Sequence, residues 1–581
     1  MNGVLTQVAG RLRTGDLVTG ISRLLALACL VGLVGMLPWL SGKDPALTIL
    51  RATSSDREPT PEVLASIRKS IGIDGGPLHV IGHWLAGVAR GDLGRSWVSG
   101  ADVGPDAVDA FGVSLSLMAA ALGVGVVVAA ALVLPALRDG LRGRPRPRGG
   151  AASAVLISLP EYLLAPILML VLAVYLRILP PFGWGSPEKV IMPALSLGLP
   201  TGGYLGGLVS DAVTATFSER WVATWSTAGI RGRTLAGAVL RRALAPLTGQ
   251  VALVVVALTG GAVAVEKIFA IPGLGRELLD AASAQDVPAL QAQILLLLAL
   301  ALTTGVIAGA VRRLLMGRAA GAGGLTAPPP VEHPGRAARV IAVSGAALLA
   351  LMMAVGIRRD PYAVVADKLA QPSAALPLGA DSLGRDVLAR VAHGAVSTVS
   401  GAVIVTVVCF VIAMLVGLAP RAATGFIEVA NAAPPILAGL IVAGVSGPSA
   451  TGAAIAVAGV GWAPLASHAA GLVAENRQRP DVLLAPVLGE GRVRITLTRV
   501  LPAVVGPLAR HAALRLPGKA LALAALGFLG LGAQSPAPEW GLVLSDALPY
   551  IERAPWAVAT PAAALVILSI TSVAASRSMR R

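Results

Sequence analysis

Apolar runs of about 18–25 residues recur along the whole chain and alternate with shorter polar segments. A helix of this length crosses the roughly 30 Å hydrocarbon core of a bilayer. The pattern predicts an all-α polytopic membrane protein with about 12 transmembrane helices. The first six predicted spans lie at about 21–40, 111–135, 152–178, 190–210, 246–268 and 290–311. The second six lie at about 340–357, 395–418, 425–446, 449–472, 504–530 and 556–575.

Two pairs of polar motifs interrupt these apolar runs in the same order in each half of the chain. The first half has Gly-Asp-Leu-Gly-Arg-Ser at 91–96 and Ile-Pro-Gly-Leu-Gly at 271–275. The second half has Asp-Ser-Leu-Gly-Arg-Asp at 381–386 and Phe-Leu-Gly-Leu-Gly at 528–532.

A polar loop with one central glycine lies between the two motifs of each half. From Gly229 to Gly273 of the late motif is 44 residues, and from Gly489 to Gly530 is 41 residues. So regular a spacing indicates two structural repeats in one chain.

The repeat pattern predicts three segments. An even number of spans returns the chain to the side on which it started, so the two halves are parallel six-helix repeats. Residues 1–315 are the first transmembrane domain and residues 340–581 the second. Residues 316–339, rich in Gly and Pro, form a cytoplasmic linker.

The charge distribution predicts the orientation of the chain in the membrane and the class of partner that it contacts. Hydrophobic residues make up 55% and charged residues 13%, about half the charge of a soluble domain. The net charge of +16 is concentrated in arginine clusters at 138–148, 312–318 and 577–581. Lys and Arg in short loops mark the cytoplasmic side of a membrane protein. Both termini are therefore predicted to be cytoplasmic, and the lipid bilayer rather than nucleic acid is the predicted partner.

Two cytoplasmic loops, at about 211–245 and 473–503, are longer than the others and lie between the fourth and fifth spans of each half. In the first, Trp221 and Trp225 are four residues apart and share one face of a helix. Such aromatic side chains are typical of protein–protein hot spots. They are also typical of the belt at headgroup depth. The residues alone leave both interpretations open.

The two loops resemble a known motif. Arg-Trp-Val-Ala-Thr-Trp-Ser-Thr-Ala-Gly at 220–229 resembles the EAA loop of ABC-importer permeases, in the form used by the dipeptide/oligopeptide/nickel family. Pro-Asp-Val-Leu-Leu-Ala-Pro-Val-Leu-Gly at 480–489 occupies the same place in the second half. Segments 91–96 and 266–275 resemble the first permease subunit of that family. Segments 378–390 and 526–532, with Trp-Gly at 540–541, resemble the second.

The resemblance implies a fused permease, in which one chain supplies both transmembrane domains of a peptide-type ABC importer. It implies cytoplasmic ATPase subunits and an extracytoplasmic substrate-binding protein as partners, and the bacterial inner membrane as location. Solute would pass between the two halves. The motif residues that carry the resemblance are Gly91, Asp92, Gly94, Glu266, Gly273, Gly275, Asp381, Gly384, Arg385, Asp386, Gly530 and Gly532.

In that family the loop forms a coupling helix that docks into a groove of the ATPase. The residues assigned to ATPase coupling by this resemblance are Arg220, Trp221, Thr224, Trp225, Ala228, Gly229, Asp481, Ala485, Gly489 and Glu490.

The loops also depart from the family pattern at two positions. Trp225 stands where the family usually has alanine. Pro486 lies inside the second coupling segment, where it removes one helical hydrogen bond. The second coupling helix is therefore expected to be shorter or shifted.

The sequence contains no motif for catalysis, for ATP binding or for metal binding. It contains no Gly-x-x-x-x-Gly-Lys-Ser/Thr phosphate loop and no nucleophile–base–acid constellation, so any ATPase is on another polypeptide. His79 and His83 have i, i+4 spacing without a third ligand nearby, which favours an exposed helix. We predict no enzyme activity, no cofactor and no metal site.

Two other functional classes compete with the importer. A twelve-span secondary transporter driven by an ion gradient would need ionisable residues within its spans. Such residues are sparse in this sequence, and the two long loops would be unexplained. The third class is a membrane scaffold without transport, which copurification of an ATPase would exclude.

The orientation can be tested by cysteine labelling. In a background with Cys29 and Cys409 replaced by alanine, we expect an impermeant maleimide added outside to modify Ser55→Cys and Ala537→Cys. The same reagent should leave Gly321→Cys unmodified until the membrane is permeabilised. Strong labelling of Gly321→Cys in intact cells would contradict the parallel-repeat topology.

Overall fold

The structure is a computed structural model that describes all residues except 1, 41–45, 48, 51–57, 71–75, 146–149, 158, 317–335 and 579–581. Most of the predicted linker, residues 316–339, therefore lies outside the described residues. The described part of the chain is largely helical, with three isolated β-bridges.

The helices of the first half are α1 (Asn2–Gly35), α2 (Leu37–Leu40), α3 (Pro61–Ser70), α4 (Pro77–Ala89), α5 (Val103–Leu141), α6 (Gly150–Ile157), α7 (Glu161–Leu168), α8 (Pro187–Phe217), α9 (Arg220–Thr227), α10 (Gly232–Leu244), α11 (Thr248–Ile268), α12 (Leu274–Ala284) and α13 (Val287–Met316). A π-helical turn, Met169–Tyr175, extends α7.

The helices of the second half are α14 (Arg336–Gly356), α15 (Val387–Gly417), α16 (Pro420–Ala432), α17 (Pro435–Ser446), α18 (Ala450–Gly461), α19 (Ala463–Arg477), α20 (Pro480–Leu484), α21 (Arg492–Ile495), α22 (Leu501–Leu529), α23 (Trp540–Ala547) and α24 (Pro555–Ser578). A π-helical turn, Thr496–Val500, joins α21 to α22.

Eight helical segments among the described residues are long and apolar enough to cross a membrane. They are Val103–Leu141, Gly232–Ile268, Val287–Leu315, Arg339–Gly356, Val387–Gly417, Ala450–Arg477, Arg492–Leu529 and Pro555–Ser572. Each contains or overlaps one predicted span. The all-α polytopic prediction is confirmed, whereas the number of twelve spans stays a prediction.

The other four predicted spans fall on helices that are shorter, broken or rich in proline. The span at 21–40 overlaps an apolar helical segment, Gly20–Gly35, and the span at 152–178 is broken between α6 and α7. The span at 425–446 bends by 93° between α16 and α17. Pro435 begins α17, and a proline has no N–H with which to continue the preceding helix.

The fourth of these spans, 190–210, lies on the 31-residue helix α8. Gly198, Gly202 and Gly206 form a stripe at i, i+4 spacing, and a Cβ at any of them would collide with α5. Such glycine stripes allow two membrane helices to approach closely. The two helices therefore pack backbone to backbone.

The described helices form two compact units, and each takes segments from both predicted repeats. The first unit consists of residues 1–104, 281–292 and 394–542. The second consists of residues 105–280, 293–393 and 543–581. The domain boundaries at 315 and 340 are boundaries of sequence repeats and stay a prediction.

In the first unit, α1 of the first repeat packs along α16 of the second repeat. The amide of Gly425 donates to Oγ of Ser22 at 3.0 Å, and a Cβ on Gly425 would collide with the backbone of α1. Arg23 forms a bidentate ion pair with Glu428, at 2.7 and 2.8 Å. The first repeat thus holds the second through its N-terminal helix.

In the second unit, α14 packs along α24 and α6 packs against α8. Near the C-terminal end of α8, the helices α8 and α10 enclose a cluster of buried side chains that includes Phe217, Val222 and Val239. Phe217 also fills the space that a side chain at Gly140 would need. This cluster is the base on which the short helix α9 rests.

The α1–α16 contact predicts that the linker is dispensable for assembly. If the chain is divided near Gly323 and both pieces are co-expressed, the fragments should copurify and transport should largely persist. Removing residues 1–35 from the first fragment should reduce copurification at least about tenfold, because the packing area is lost.

Alanine at Arg23 is the matched control for this division. An exposed ion pair contributes only about 0.2–1 kcal/mol, so Arg23→Ala should leave most of the complex intact. Fragments that reach the membrane in normal amounts but do not copurify would contradict the role of α1.

Candidate functional site

The first of the two predicted coupling segments is the short helix α9. Its indole rings, Trp221 and Trp225, meet edge to face with 5.3 Å between centroids. Trp221 packs against the buried cluster below, and its N–H donates to Glu219 at 2.6 Å. Glu219 in turn pairs with Arg242 of α10 at 3.0 Å. Trp221 is therefore a fixed anchor, and Trp225 is the exposed aromatic of the pair.

Both coupling segments end in the same turn. Gly229 and Gly489 adopt φ values of +83° and +80°, a left-handed conformation that favours glycine. The next amide in each case reaches back five residues: Ile230 N–H to Trp225 O at 2.9 Å, and Glu490 N–H to Ala485 O at 3.1 Å. This is the hydrogen bond of a Schellman motif. The two coupling segments thus end in the same local structure, although their sequences differ.

The second coupling helix, α20, is the shorter one, as Pro486 predicts. It has 5 residues against 8 in α9, and the chain continues from Leu484 in tight turns. Its outer surface is aliphatic rather than aromatic. Four side chains are exposed there: Leu483, Leu484, Val487 and Leu488.

An ion pair fixes the second loop to the following helix. Arg499 donates to both carboxylate oxygens of Glu490, at 3.1 and 2.5 Å, and to the carbonyl of Asp481 at 3.1 Å. The hydrogen bond from Arg499 holds the pKa of Glu490 below its ordinary value. A loop tied at both ends in this way moves with the helix that carries Arg499.

The predicted coupling residues divide into those that face outward and those that do not. In the first loop Arg220, Thr224, Ala228 and Gly229 are exposed. In the second, Asp481 and Gly489 are exposed, and Glu490 is half-buried in its ion pair. The side chain of Ala485 is fully buried. The exposed aliphatic side chains beside it were not singled out from the sequence, although apolar residues in a polar loop were the available signal.

The early motif of the first half is held by a carboxylate from a distant part of the sequence. Asp286 accepts hydrogen bonds from the hydroxyl of Ser96 and from the amide of Trp97, the latter at 3.1 Å. Asp92 accepts from the amide of Gly94 at 2.9 Å. Gly91 and Gly94 both have positive φ, so the motif is a compact turn.

The corresponding motif of the second half is a buried ionic cluster. Asp381 pairs with Arg385 and with Arg390, each at 2.7 Å, and Asp386 pairs with Arg359 at 2.7 Å. Burial alone would raise the pKa of Asp381, but the amides of Arg385 and Leu383 and the Arg385 guanidinium hold it below its ordinary value. These charges are mutually satisfied, which indicates a structural motif.

The late motif of the first half is built around Glu266. Its buried carboxylate accepts from the hydroxyl of Ser114 at 2.5 Å and from the amide of Arg276 at 3.0 Å. The Ser114 oxygen also accepts from the amide of Leu274 at 2.8 Å. A side chain at Gly273 would collide with this carboxylate, so glycine leaves the room that it needs.

In the second half, Glu539 has the same role with the partners reversed. It accepts from Thr398 at 3.3 Å and from the amides of Gly541 and Leu542 at 3.0 and 2.9 Å. In this repeat the glycine, Gly527, lies on the long helix α22. A side chain at that position would collide with the Glu539 carboxylate. In each repeat a hydroxyl of the long second span and backbone amides in the first turn of a short helix, α12 or α23, enclose one carboxylate.

The two sites align residue by residue. Gly275 fits against Val263 as Gly541 fits against Ala524, so Gly273 corresponds to Glu539. By the same alignment Glu266 corresponds to Gly527. The pairing of Gly273 with Gly530 that the sequence motifs suggested is therefore wrong, because similar Gly-Leu-Gly letters stand at different places in the two sites. The glutamate and the glycine have exchanged positions between the repeats. The sequence pointed to Glu266, but not to Glu539, which became visible only through the packing.

Burial raises the pKa of Glu539 to about 7, against the opposing effect of its three hydrogen bonds. Burial likewise raises the pKa of Glu277, in α12, to about 7, and the nearby charges of Asp106 and Asp280 add to the shift. Both carboxyl groups are therefore partly protonated at neutral pH.

Two segments of the chain match one protein family. Residues 150–320 and 406–580 each match the model of the binding-protein-dependent transport system inner membrane component. The two matches contain the two coupling segments and the two late motifs, one set in each.

Individual relatives are similar to parts of the chain. The peptide transport system permease protein SapC of Escherichia coli is 36% identical over 202 residues, covering 33% of this chain and 67% of that protein. The di/tripeptide transport system permease protein DppC of Pseudomonas aeruginosa is 34% identical over 204 residues, covering 34% and 67%. The metal-staphylopine import system permease protein CntB of Staphylococcus aureus is 28% identical over 281 residues, covering 48% and 89%.

The exchange of glutamate and glycine predicts a rescue. Glu266→Gly should destabilise the protein by about 2–4 kcal/mol, because the Ser114 hydroxyl and the Arg276 amide lose a buried acceptor. Gly273→Glu alone should also destabilise it, because a second carboxylate meets the first. The double variant reproduces the arrangement of the second repeat and should recover most of the loss.

Thermal unfolding in detergent measures all three variants and the parent as a double-mutant cycle. A double variant whose loss equals the sum of the two single losses would show that the two positions do not share one carboxylate site.

Proposed function

Because the chain belongs to the family of binding-protein-dependent transport system inner membrane components, we propose that its two repeats are the two transmembrane domains of one importer. The chain is a permease component of an ABC importer and a multi-pass membrane protein. A single polypeptide would then supply the whole translocation path. The observation that carries this proposal is the duplicated loop, with its shared Schellman turn at Gly229 and Gly489.

Cytoplasmic ATPase subunits are the partners that the two loops would meet. The sequence has no phosphate-binding loop, so ATP would be hydrolysed on a separate polypeptide. Trp225 on the first loop, and the aliphatic group of Leu483, Leu484, Val487 and Leu488 on the second, are exposed apolar surface. Exposed apolar groups on a polar loop favour a protein partner that covers them.

The anchoring of the loops explains how the ATPase would drive transport. Trp221 ties α9 to the cluster between α8 and α10, and Arg499 ties the second loop to α22. A displacement of either loop would therefore move a membrane helix as a rigid lever. Alternating access by rocking of rigid bundles is the transport mode that such levers serve.

The proposed substrates are di- or oligopeptides or related small solutes. The names of the relatives support this range, from peptides and di/tripeptides to a metal–staphylopine chelate. An extracytoplasmic binding protein would deliver the solute. The names of these three relatives do not point to the alternative of an ion-gradient-driven transporter.

We further propose that both termini and the linker face the cytoplasm of a bacterial cell. The arginine clusters at 138–148, 312–318 and 577–581 support this orientation. It places α9 and α20 on the side where ATP is available.

The coupling role of the first loop can be tested at Trp225. Trp225→Ala should weaken association with the ATPase by at least about 30-fold, because loss of a hot-spot aromatic costs about 2 kcal/mol or more. Gly229→Glu should impair coupling as well, since the side chain is strained at positive φ. Both variants should insert normally and lose transport-linked ATP hydrolysis in proteoliposomes.

Thr227→Ala, on the same short helix but outside the predicted coupling residues, is the matched control and should behave like the parent. Trp221→Ala is uninformative about docking because Trp221 also packs the cluster below. If Trp225→Ala binds the ATPase and transports like the parent, the coupling assignment is wrong and the headgroup-belt interpretation is favoured.

A further inference from the structure

The last helix of the first repeat, α13 (Val287–Met316), is packed at one end only. Its first turns carry buried side chains, among them Leu290 and Ile294. From residue 295 to residue 315 every residue is exposed or half-buried, and Leu314 is 76% exposed. Packing within the chain therefore fixes the N-terminal end of α13 but not its C-terminal end.

Two hydrogen bonds from Arg241 reach the C-terminal end of α13. The Nε atom of Arg241 donates to the carbonyl oxygen of Leu315 at 2.8 Å, and Nη2 donates to that of Leu314 at 3.2 Å. The last four carbonyl groups of a helix have no amide partner within it. An arginine that donates to them also meets the negative end of the helix dipole. Arg241 thus caps α13 from a neighbouring helix.

The helix that carries Arg241 also reaches the first coupling segment. Arg242, the next residue of α10, pairs with Glu219 at 3.0 Å. Glu219 directly precedes α9 and accepts from the indole N–H of Trp221 at 2.6 Å. Two neighbouring arginines of α10 therefore contact the coupling segment on one side and the end of α13 on the other.

An arginine beside the second coupling segment makes a similar contact. Arg477, in the last turn of α19, donates to the carbonyl oxygen of Leu418 at 3.2 Å, directly after the end of α15. The coupling helix α20 begins three residues later, at Pro480. Packing adds to this contact, because a Cβ on Gly417 would collide with Ala469 of α19. In each repeat, an arginine next to the coupling segment thus caps a second long helix.

We propose that Arg241 is a positioning residue that links the first coupling loop to α13, and that Arg477 links the second loop to α15. The proposal rests on the importer function and deepens it, because a displacement of either loop would then move two membrane helices instead of one. In the first repeat these helices are α11, which continues the chain after α10, and α13. Both guanidinium groups are exposed, so their contribution to the overall stability is small and their effect is on position.

The link at Arg241 can be measured on the full chain alone. In phosphatidylcholine nanodiscs, hydrogen exchange of the amides at 313–316 reports how often the last turn of α13 opens. Arg241→Gln should raise this exchange at least about fivefold, because the turn loses hydrogen bonds to a charged group. Trp221→Ala, which releases α9 from its anchor, should raise the exchange as well, although Trp221 does not contact α13.

The double variant shows whether both changes act through Arg241. In a chain that already carries Arg241→Gln, Trp221→Ala should add at most about twofold to the exchange of α13. Arg233→Gln is the matched control, because Arg233 is an exposed arginine at the start of the same helix. It should leave the exchange unchanged. Arg241→Lys should keep part of the protection, because the charge remains.

The assembled importer tests the consequence for transport. In proteoliposomes with the ATPase and the binding protein, the measured quantity is the number of solute molecules taken up per ATP hydrolysed. Arg241→Gln should lower this ratio at least about threefold, which is within the range of changes seen along coupled contacts. Its association with the ATPase and its midpoint of thermal unfolding should stay those of the parent. Arg477→Gln should have a smaller effect, because the packing at Gly417 remains.

Four results would overturn the proposal. The first is an exchange of α13 in the double variant that equals the product of the two single effects, or that Trp221→Ala leaves unchanged. The second is a parent-like ratio of uptake to ATP hydrolysis in Arg241→Gln. The third is an equal effect of Arg233→Gln in either measurement, which would assign the result to positive charge alone. The fourth is a lower ratio that is accompanied by weaker ATPase association, which would assign Arg241 to docking.

A failure of the importer function gives a different result. It would appear as no ATP-dependent uptake of any solute by the parent chain. The exchange measurement needs neither the ATPase nor the binding protein, so it decides the link between α9 and α13 in either case. If Arg241→Gln does not fold, Arg241→Lys provides the same comparison with a smaller expected effect.

Discussion

A carboxylate can be buried in an apolar protein interior only where several donors converge on it, and this requirement fixes one end of each repeat. Glu266 and Glu539 each accept a hydrogen bond from a side-chain hydroxyl of the long second span and from an amide in the first turn of a short helix, α12 or α23. Removing any of these elements leaves a buried charge or a buried donor without its partner. Gly273 and Gly527 therefore leave the space that each buried carboxylate needs, and the exchange of glutamate for glycine between repeats preserves that result.

The same helices connect this end to the coupling loops. In the first repeat the chain runs from Gly229 through α10 and α11 to Glu266, and in the second from Gly489 through α21 and α22 to Gly527. Each path is one membrane-crossing segment with a pinned loop at one end and a buried carboxylate at the other. A displacement of the loop is then transmitted along a helix whose other end is held by the contacts of the carboxylate. We regard this construction as the physical basis of coupling in the proposed importer.

The sequence predicted the all-α membrane fold, the duplicated coupling loop and the shorter second coupling helix, because each depends on local periodicity, a glycine or a proline. It did not predict which side of the second loop faces outward. The buried Ala485 is in the predicted coupling set, and the exposed Leu488 is not. Nor did it predict that α1 packs on α16, because packing partners across more than 400 residues leave no trace in periodicity.

The asymmetry between the repeats is that of two different subunits rather than of one subunit used twice. The first half resembles the first permease subunit of the family and the second half resembles the second. In a symmetric pair of identical subunits every substitution appears twice, so the tryptophan pair of one coupling loop would be duplicated. Joining the repeats in one chain makes their association intramolecular, at an effective concentration in the millimolar range for a short linker. Every molecule then carries one aromatic coupling loop and one aliphatic coupling loop in a fixed ratio, and the two loops are free to differ in their contacts.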